Sequence, residues 1–452
     1  LGWEPIGKNS PTSARFTGSL DGSGYSITGL HTNFSNIKYA GLFGYIQNAV
    51  ISNLKLKNCR IINRFYLGLL AGYSNNSIIN NTEVDGEVIS CSSTDISCMV
   101  GGLVGYVFDG NVANSSANIN IYGSKEVGGL IGIIDNGAEV TASCSFGNIN
   151  ATTIVGGFIG KTLSSSSIIN DSYSRASVNG ISTIGGFVGY RTQSSINRSF
   201  STGAVNGTGN YIGGFIGNTN YGSSNYCYWD TQTSGMTTSA GGTGVMGKTT
   251  NQMTYPYSIT TYTTWDFNSI WKADEDYSMN NGYPFFSWQI LSFNINLSSG
   301  WNTISSNILS NAPNMENMFA EMEELVIVKN ADGQIFEPAQ NINQIGDWNI
   351  AHGYMVYVTA PATLQITGTA VDPTETEINL VSGWNLVAYL RNSQMPVETA
   401  LASISSSIIL VKNNLGQLYY PAFGLNTIGN MLQGQGYWLY MNSSAVLVYP
   451  GN

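Results

Sequence analysis

The first half of the chain alternates apolar residues with small or polar ones, and the pattern returns at a fixed interval. Each unit holds a glycine phrase such as Val-Gly-Gly-Phe-Ile-Gly, followed by a turn and a second alternating segment such as residues 196–205. Alternation is typical of strands, and the three- and four-residue spacing of a helix is absent. The closing glycine of the phrase recurs about every 28 residues, at Gly44, Gly72, Gly105, Gly132, Gly160, Gly189 and Gly217. The pattern therefore predicts a stacked β-solenoid with about 28 residues in each rung.

The glycines have a mechanical role in this prediction. A residue without Cβ lets the backbone bend sharply and lets successive rungs approach closely. Strands stacked at about 4.8 Å would make eight or so rungs a rod roughly 35–40 Å long. Tyr45, Tyr73, Tyr106 and Tyr190 follow the closing glycine in four of the units. They predict a partial tyrosine column, which either stabilises one edge by stacking or forms a sugar-binding strip.

The repeated phrase also carries a resemblance to a known family. Val-Gly-Gly-Leu-Val-Gly at residues 100–105, together with segments such as residues 168–178, resembles the GLUG repeat of bacterial surface proteins, including adhesin-like and IgA-peptidase-associated chains. Residues 16–27 and 227–235 resemble the first and last parts of such repeats, so the resemblance covers about residues 1–290. Residues 68–72 depart from it because they lack the second glycine. The resemblance implies a parallel β-helix and no catalytic residues, because the motif is structural.

A different repeat follows Trp288. Gly-Trp-Asn at residues 300–302 returns at residues 383–385, and short helical stretches are predicted to begin at Pro313 and Pro396. These copies resemble small α+β modules that follow a "GWN" strand near the C-termini of large exported bacterial proteins, and the resemblance implies no activity. The predicted fold is mainly β, a parallel β-helix followed by two small α+β modules. The predicted domains are a GLUG-type β-solenoid (1–224), an aromatic-rich segment capping one solenoid end (225–290), tandem module 1 (291–371) and tandem module 2 (372–452).

Composition narrows the class of protein. Only 10% of residues are charged, against roughly 25% in an ordinary soluble domain. The net charge of −10 comes with no basic stripe, which argues against nucleic acid as a partner. No run reaches the roughly 18–20 apolar residues that span a bilayer, so we expect no membrane span in this chain. A surface rich in Asn, Ser and Thr favours a secreted, extracellular location on a bacterial cell surface, with any export signal absent from this sequence.

The five cysteines are an odd number, which leaves at least one free thiol or an intermolecular bond. Cys91 and Cys98 lie in the longest step between repeats and could clip that insert with a disulfide. Cys59, Cys144 and Cys227 have no partner that the sequence identifies. We interpret these three as small buried apolar residues.

Candidate chemistry is sparse. His31 and His352 lie in different domains, and neither has zinc-ligand spacing or a neighbouring nucleophile motif. Alternating carboxylates would project from one face of a strand and could hold Ca²⁺, although a solvated outer face explains them as well. The calcium candidates are Glu83, Asp85 and Glu87 in the solenoid and Asp274 and Asp276 in the capping segment. We expect no other cofactor and no catalytic residues.

Three functions fit the sequence. We expect a non-enzymatic extracellular surface protein, an adhesin or attachment component whose extended solenoid surface binds a glycan or protein ligand on another surface. An alternative is a self-assembling subunit of a surface fibre or layer, since the strand-like sequence near the N-terminus could pair with copies of itself. A second alternative is a polysaccharide-active β-helix lyase or hydrolase. That enzyme would need carboxylates converging with a basic residue on one face of the solenoid.

Overall fold

The computed structural model describes residues 2–33, 37–90, 98–275, 277 and 279–451. The chain divides into two compact units, Leu1–Ser287 and Trp288–Asn452. The first unit is a parallel β-solenoid of about seven turns together with its capping segment, so the predicted solenoid is confirmed. Among the described residues, no helix has the length and apolar character needed to cross a membrane.

One sheet of the solenoid is built from the first part of each glycine phrase. Its parallel strands pair in register from turn to turn, so that Gly128 lies opposite Gly156, and Gly156 opposite Gly185. We call it the glycine sheet, and each turn contributes one strand. Its seven strands are Tyr39–Ala40, Tyr66–Leu67, Met99–Gly101, Glu126–Gly128, Ile154–Gly156, Thr183–Gly185 and Tyr211–Gly213.

A second, 23-stranded sheet bends around the rest of each turn, and we call it the wrapping sheet. It encloses a continuous apolar interior between itself and the glycine sheet. Its strands are Ser19–Asp21, Ser26–Thr28, His31–Asn33, Phe43–Gln47, Val50–Asn63, Ala71–Ser90, Val104–Ala113, Ser116–Tyr122, Ile131–Asp135, Glu139–Thr141, Cys144–Asn150, Ile159–Thr162, Ile168–Asn170, Tyr173–Ser174, Ser177–Gly180, Val188–Arg191, Ser195–Asn197, Phe200–Ser201, Val205–Gly207, Ile216–Thr219, Ser223–Asn225, Cys227–Asp230 and Val245–Lys248.

The glycine phrase forms the corner where the chain passes from the glycine sheet to the wrapping sheet. A Cβ on Gly157 would lie well inside van der Waals contact of the Gly186 carbonyl oxygen in the next turn. A Cβ on Gly160 would lie 2.6 Å from the Gly132 carbonyl oxygen in the preceding turn. The residue after Gly157, Phe158, points inward and begins a stack of buried rings spaced 4.7 and 4.6 Å apart. The glycine phrase therefore has a structural role, because its glycines permit close stacking of successive turns.

A second sharp corner in each turn is made by a residue in the left-handed region followed by a buried small residue. Ala142, with φ of 44°, is followed by Ser143, which is fully buried. The Ser143 hydroxyl donates to the Thr141 carbonyl at 2.7 Å and accepts the Ser115 amide of the preceding turn at 3.2 Å. The same contacts recur up the stack, and we call Ser115, Ser143, Ser172 and Ser199 the serine column.

The capping segment covers a side of the solenoid as well as its end, which differs from the end cap predicted. Val245–Lys248 pairs with Cys227–Asp230 and so extends the last turn. The chain then returns along the wrapping sheet and presents Trp271 to Tyr173, with ring centroids 6.1 Å apart. Trp271–Lys272 and Phe285–Phe286 form an antiparallel pair in this segment.

The second unit contains the two copies of the tandem repeat. In each copy the Gly-Trp-Asn strand pairs antiparallel with a later strand, so that Trp301 lies opposite Tyr357 and Trp384 opposite Tyr440. The first copy has strands Leu291–Leu297, Gly300–Ile304, Ile308–Ser310, Leu325–Lys329, Ile335–Glu337, Ile342–Asn343, Tyr354–Val358 and Ala362–Ala370. The second has strands Ile378–Leu380, Gly383–Ala388, Met395–Pro396, Ile408–Lys412, Leu418–Tyr420, Leu425–Asn426, Asn430–Met431, Gly436–Met441 and Ala445–Leu447.

Helices are short throughout the described residues. The α-helices are Thr231–Ser234, Thr250–Met253, Met315–Met318 and Val397–Ala400, and the last two begin close to the predicted Pro313 and Pro396. The 3₁₀ helices are Thr12–Ala14, Ser287–Gln289, Pro338–Gln340, Ala402–Ser407 and Pro421–Phe423. Hydrogen bonds join the two copies within their unit, including one of 3.1 Å from the Gly353 amide to the Leu386 carbonyl.

Candidate functional site

The three solenoid carboxylates predicted as calcium ligands project from one strand, Ala71–Ser90, and each has a polar partner in a neighbouring turn. Glu83 lies 3.0 Å from the Lys55 ammonium, and Glu87 lies 2.6 Å from the Arg60 guanidinium. Asp85 accepts a hydrogen bond of 3.0 Å from the side-chain amide of Asn118. We call Glu83, Asp85 and Glu87 with these partners the charged strip. Its acids face outward and are paired across turns.

The carboxylates of the capping segment have a different setting. Asp274 is only 1% exposed, and its oxygens accept backbone hydrogen bonds from Met279, Asn280 and Gly282 at 2.7–3.0 Å. Such a carboxylate organises a turn. Asp276 lies outside the described residues. Within the described ranges, no group of three or more His, Cys, Asp or Glu side chains could hold a metal ion. Calcium binding at these positions stays a prediction.

The charged strip belongs to a row whose chemistry changes along the solenoid. The strand register aligns Glu83 with one residue in each of the other turns of the wrapping sheet. We call these aligned residues the outer row. They are Lys55, Glu83, Ser116, Cys144, Tyr173, Phe200 and Tyr228. The capping segment covers the aromatic end of the row, where Phe286 lies 5.1 Å from Tyr173 and Tyr262 lies 5.3 Å from Tyr228, ring to ring. The charged end remains open to solvent.

An ion pair between the half-buried Arg198 and the buried Asp171 holds the capping segment against this face. The Arg198 guanidinium makes two hydrogen bonds, of 2.7 and 2.6 Å, to the carboxylate of Asp171 in the preceding turn. The Trp271 indole nitrogen donates to the same carboxylate at 3.2 Å. The bond to Asp171 raises the pKa of Arg198. These groups have a structural role, because all their charge is satisfied within the protein.

A polar cleft of about 400 Å³ lies between the solenoid and the capping segment, lined in part by Arg175, Thr202, Thr233, Thr250 and Tyr283. The Tyr283 hydroxyl donates to the buried Asp230 carboxylate at 2.6 Å. Burial, together with that bond, raises the pKa of Tyr283. The tyrosine is thus held protonated, and the Arg175 guanidinium is occupied by a 2.8 Å bond to Asn280. This arrangement supplies no activated nucleophile.

The predicted tyrosine column exists in the first turns. Tyr45 stacks on Tyr73 at 4.7 Å, and Tyr73 stacks on Tyr106 at 5.0 Å, with ring planes 17° and 8° apart. Tyr39 packs edge-on against both Tyr45 and Tyr73. A sugar ring needs an open aromatic face, and here neighbouring rings occupy the faces. The geometry therefore favours the interpretation that the column stabilises an edge of the solenoid.

His31 lies in the first unit and His352 in the second. Cys59, Cys144 and Cys227 are free and buried, as the interpretation of small apolar residues expects.

Burial raises the pKa of the Cys59 thiol to about 11 and that of Cys227 to about 12. Cys91 lies outside the described residues, so the predicted disulfide between Cys91 and Cys98 also lies outside them. Cys98 itself is buried.

Two features escaped the reasoning from sequence. The aromatic half of the outer row consists of Tyr173, Phe200 and Tyr228, which recur at the solenoid period. Counting forward from Glu83 by that period would have identified them. The sequence marks Trp301 and Trp384 as members of a repeat, and the structure shows that both side chains are exposed. Their recurrence at the same position of each copy was the available signal.

Comparison with known proteins finds partial similarity. The GLUG motif matches residues 96–122, which confirms that resemblance there, whereas the "GWN" resemblance stays a prediction. A Gly-rich membrane protein of Evansella cellulosilytica is 34% identical over 29% of this chain and 15% of its own length. An immunoglobulin A1 protease of Streptococcus sanguinis is 32% identical over 37% of this chain and 9% of its own length.

A solved Bacteroides ovatus structure, provisionally described as an immunoglobulin A1 protease, is 20% identical. The match has a TM-score of 0.42 and covers 63% of this chain and 81% of that one. The chain spans no more than 15% of the length of the curated relatives that it matches. It carries a GLUG motif on a β-solenoid and shares partial similarity with bacterial proteins named as membrane proteins and as immunoglobulin A1 proteases.

Proposed function

We propose that this chain is a non-enzymatic attachment region of an extracellular bacterial surface protein, and that the open side of its solenoid contacts a ligand on another surface. The GLUG motif and the similarity to a protein named as a membrane protein support the surface location. The composition supports it as well, because amide and hydroxyl groups replace most of the charge on the outer face.

The observation that carries the proposal is the polar order of the open solenoid face. Beside the charged strip, the exposed amides of Asn120 and Asn148 bond to each other across turns at 3.0 Å. Such a surface is extended and regular, and its donors and acceptors are held in fixed positions by the strands beneath. Solenoids present extended binding surfaces of this kind.

The arrangement of acids supports a non-enzymatic role. A lyase or hydrolase would need carboxylates that converge on substrate with a proton donor or a basic group. In the charged strip, Glu83 and Glu87 are instead neutralised by Lys55 and Arg60. Two relatives are named immunoglobulin A1 protease, and a β-solenoid suits both enzymes and non-enzymatic proteins. The test therefore also measures proteolysis.

The test measures binding of the purified full chain to glycan arrays and to immobilised host proteins and cells. Asn120→Lys with Asn148→Lys adds bulk and charge to the open face without removing a buried contact. A matched control, Asn294→Lys, alters an exposed amide in the second unit that bonds to Gln365. We expect the solenoid variant to lose binding at least tenfold and the control to keep it.

Three outcomes contradict the proposal. Cleavage of immunoglobulin A1 by the full chain, detected as heavy-chain fragments by mass spectrometry, would establish an enzyme. Growth of polymers with concentration in light scattering, without binding to any other surface, would establish the self-assembling alternative. Equal binding by both variants would show that the contact does not lie on the open face.

A further inference from the structure

Trp384 is 49% exposed at the centre of an aromatic surface in the second unit. It lies opposite Tyr440 on the neighbouring strand, with ring centroids 5.0 Å apart. The ring of Trp438 lies 6.2 Å away and almost perpendicular, at 86°. The two indole rings therefore form two nearly perpendicular sides of this surface. We call Trp384, Trp438, Tyr440 and the adjoining Lys412 the tryptophan shelf.

The shelf borders a cavity of about 460 Å³ that is lined by Trp384, Trp438, Lys412 and Ala331. Ala331 comes from the hairpin turn of the first copy, so both copies shape the space. This volume suits a small ligand. Lys412 is exposed and lies opposite Trp438 in the strand register. Among the described residues, no carboxylate lies within ion-pair distance of it.

The Gly-Trp-Asn triplet separates structural residues from the exposed ring. Gly383 adopts φ of 97°, which glycine favours, and so makes the turn that enters the strand. The Asn385 side chain accepts from the Val381 amide at 3.0 Å and donates to the Val381 carbonyl at 2.8 Å. Glycine and asparagine therefore shape the backbone. Trp384 makes no hydrogen bond of this kind, and its ring projects from the sheet.

The first copy repeats the exposed tryptophan and its lysine, with Met355 at the position of Trp438. Trp301 is 42% exposed and packs against Tyr357 at 5.3 Å, with the Lys329 ammonium 5.3 Å from the indole centroid. An exposed tryptophan beside a lysine thus occurs twice in a chain with 17 basic and 27 acidic residues. Trp384, Trp438 and Tyr440 form a contiguous aromatic patch, and such exposed patches mark interaction sites.

We propose that the tryptophan shelf binds an acidic saccharide, a pyranose that carries a carboxylate. The apolar C–H face of a pyranose stacks on the Trp384 indole, and the carboxylate is paired with Lys412. A quaternary ammonium ligand is disfavoured because Lys412 would repel it. Nucleic acid is disfavoured because the shelf supplies one lysine, whereas a phosphate backbone is bound by several Lys or Arg side chains. Trp301 with Lys329 provides a second, smaller platform for a longer chain. This inference rests on the proposed attachment function, because it names a ligand class for that function.

The experiment uses the full chain and an array of sialylated and uronate glycans printed beside their neutral counterparts. Affinities of the best pair are then measured by tryptophan fluorescence titration. We expect at least tenfold preference for the acidic glycan, loss of that preference in Lys412→Gln, and at least tenfold weaker binding of both glycans in Trp384→Ala. Trp384→Phe keeps an aromatic face and retains part of the binding. The control Phe423→Ala removes a 75% exposed ring that does not line the cavity, and it leaves binding unchanged.

Several results would overturn the inference: no glycan binding, equal binding of acidic and neutral glycans, preference for a proline-rich peptide, or undiminished binding in Trp384→Ala. Circular dichroism of each variant establishes that it is folded. If the chain attaches to cells and Trp384→Ala attaches equally well, the shelf is refuted while the attachment function stands. If the shelf binds acidic glycans in solution and the chain attaches to no surface, the attachment function fails while the shelf stands.

Discussion

Replacing Ser143 by alanine tests whether the serine column holds the turns of the solenoid together. The hydroxyl is fully buried and joins two turns, because it accepts from the Ser115 amide and donates to the Thr141 carbonyl. Alanine fills nearly the same volume, so the substitution removes hydrogen bonds without creating a large cavity.

The expected loss of stability follows from the groups left behind. The Ser115 amide is buried and would have no acceptor, which costs about 1–3 kcal/mol. The Thr141 carbonyl would keep its 3.2 Å bond from the Asn114 amide, so its loss is limited to roughly 0.5–1 kcal/mol. The sum is about 1.5–4 kcal/mol. At about 1.4 kcal/mol per factor of ten, this corresponds to a change of about 10- to 700-fold in an opening equilibrium.

Hydrogen exchange read by mass spectrometry separates solenoid peptides from those of the second unit. In Ser143→Ala, the peptide containing Ser115 should exchange about 10- to 700-fold faster. Ser165→Ala is the control, since Ser165 is an exposed serine in the same unit. Ser143→Cys should lose less, because Cys227 occupies the last position of the column, with its Sγ 3.4 Å from the Asn225 carbonyl. If Ser143→Ala exchanged like the control, the column would carry no stabilising role.

Three further predictions concern backbone strain, thiol reactivity and alkaline stability. Ala142→Asn should stabilise the solenoid by about 0.5–1 kcal/mol in urea unfolding, because asparagine tolerates the left-handed region better than alanine; a destabilised variant would contradict this. Cys59 and Cys227 should resist alkylation at pH 8 in the folded chain and react in urea, because burial keeps both thiols protonated; rapid labelling of the folded chain, mapped by mass spectrometry, would refute it. Burial raises the pKa of Tyr354 to about 12. Its contribution to the free energy of unfolding, about 2–3 kcal/mol, is therefore fully present below pH 10 and is lost as the pH rises toward 12. Urea midpoints that do not fall between pH 9 and pH 11 would contradict this.

The solenoid was predictable because its signal is periodic and local. Alternation within each unit and glycine at one corner are visible in any single turn. The second corner was harder to see, because Ala142 carries no turn signal although its φ is positive. The position of the capping segment was also hidden, since Trp271 reaches Asp171, 100 residues earlier, through a contact that no local pattern encodes.

The candidate site was predictable only in part. Alternation correctly placed Glu83, Asp85 and Glu87 on one face of a strand. Their partners, Lys55 and Arg60, lie one repeat earlier, so applying the period to individual side chains would have found them. The exposure of Trp301 and Trp384 was not predictable, because a repeated sequence alone does not say which of its residues stay in solvent.

The side-on position of the capping segment makes the two ends of the solenoid mechanically unequal. Its aromatic rings rest on Tyr173, Phe200 and Tyr228, which belong to three successive turns, so these turns must open together. The turns around the charged strip lack this clamp, and each is held chiefly by its neighbours. A chain under tension, or attacked by a protease, should therefore come apart from its charged end first and keep its capped turns longest.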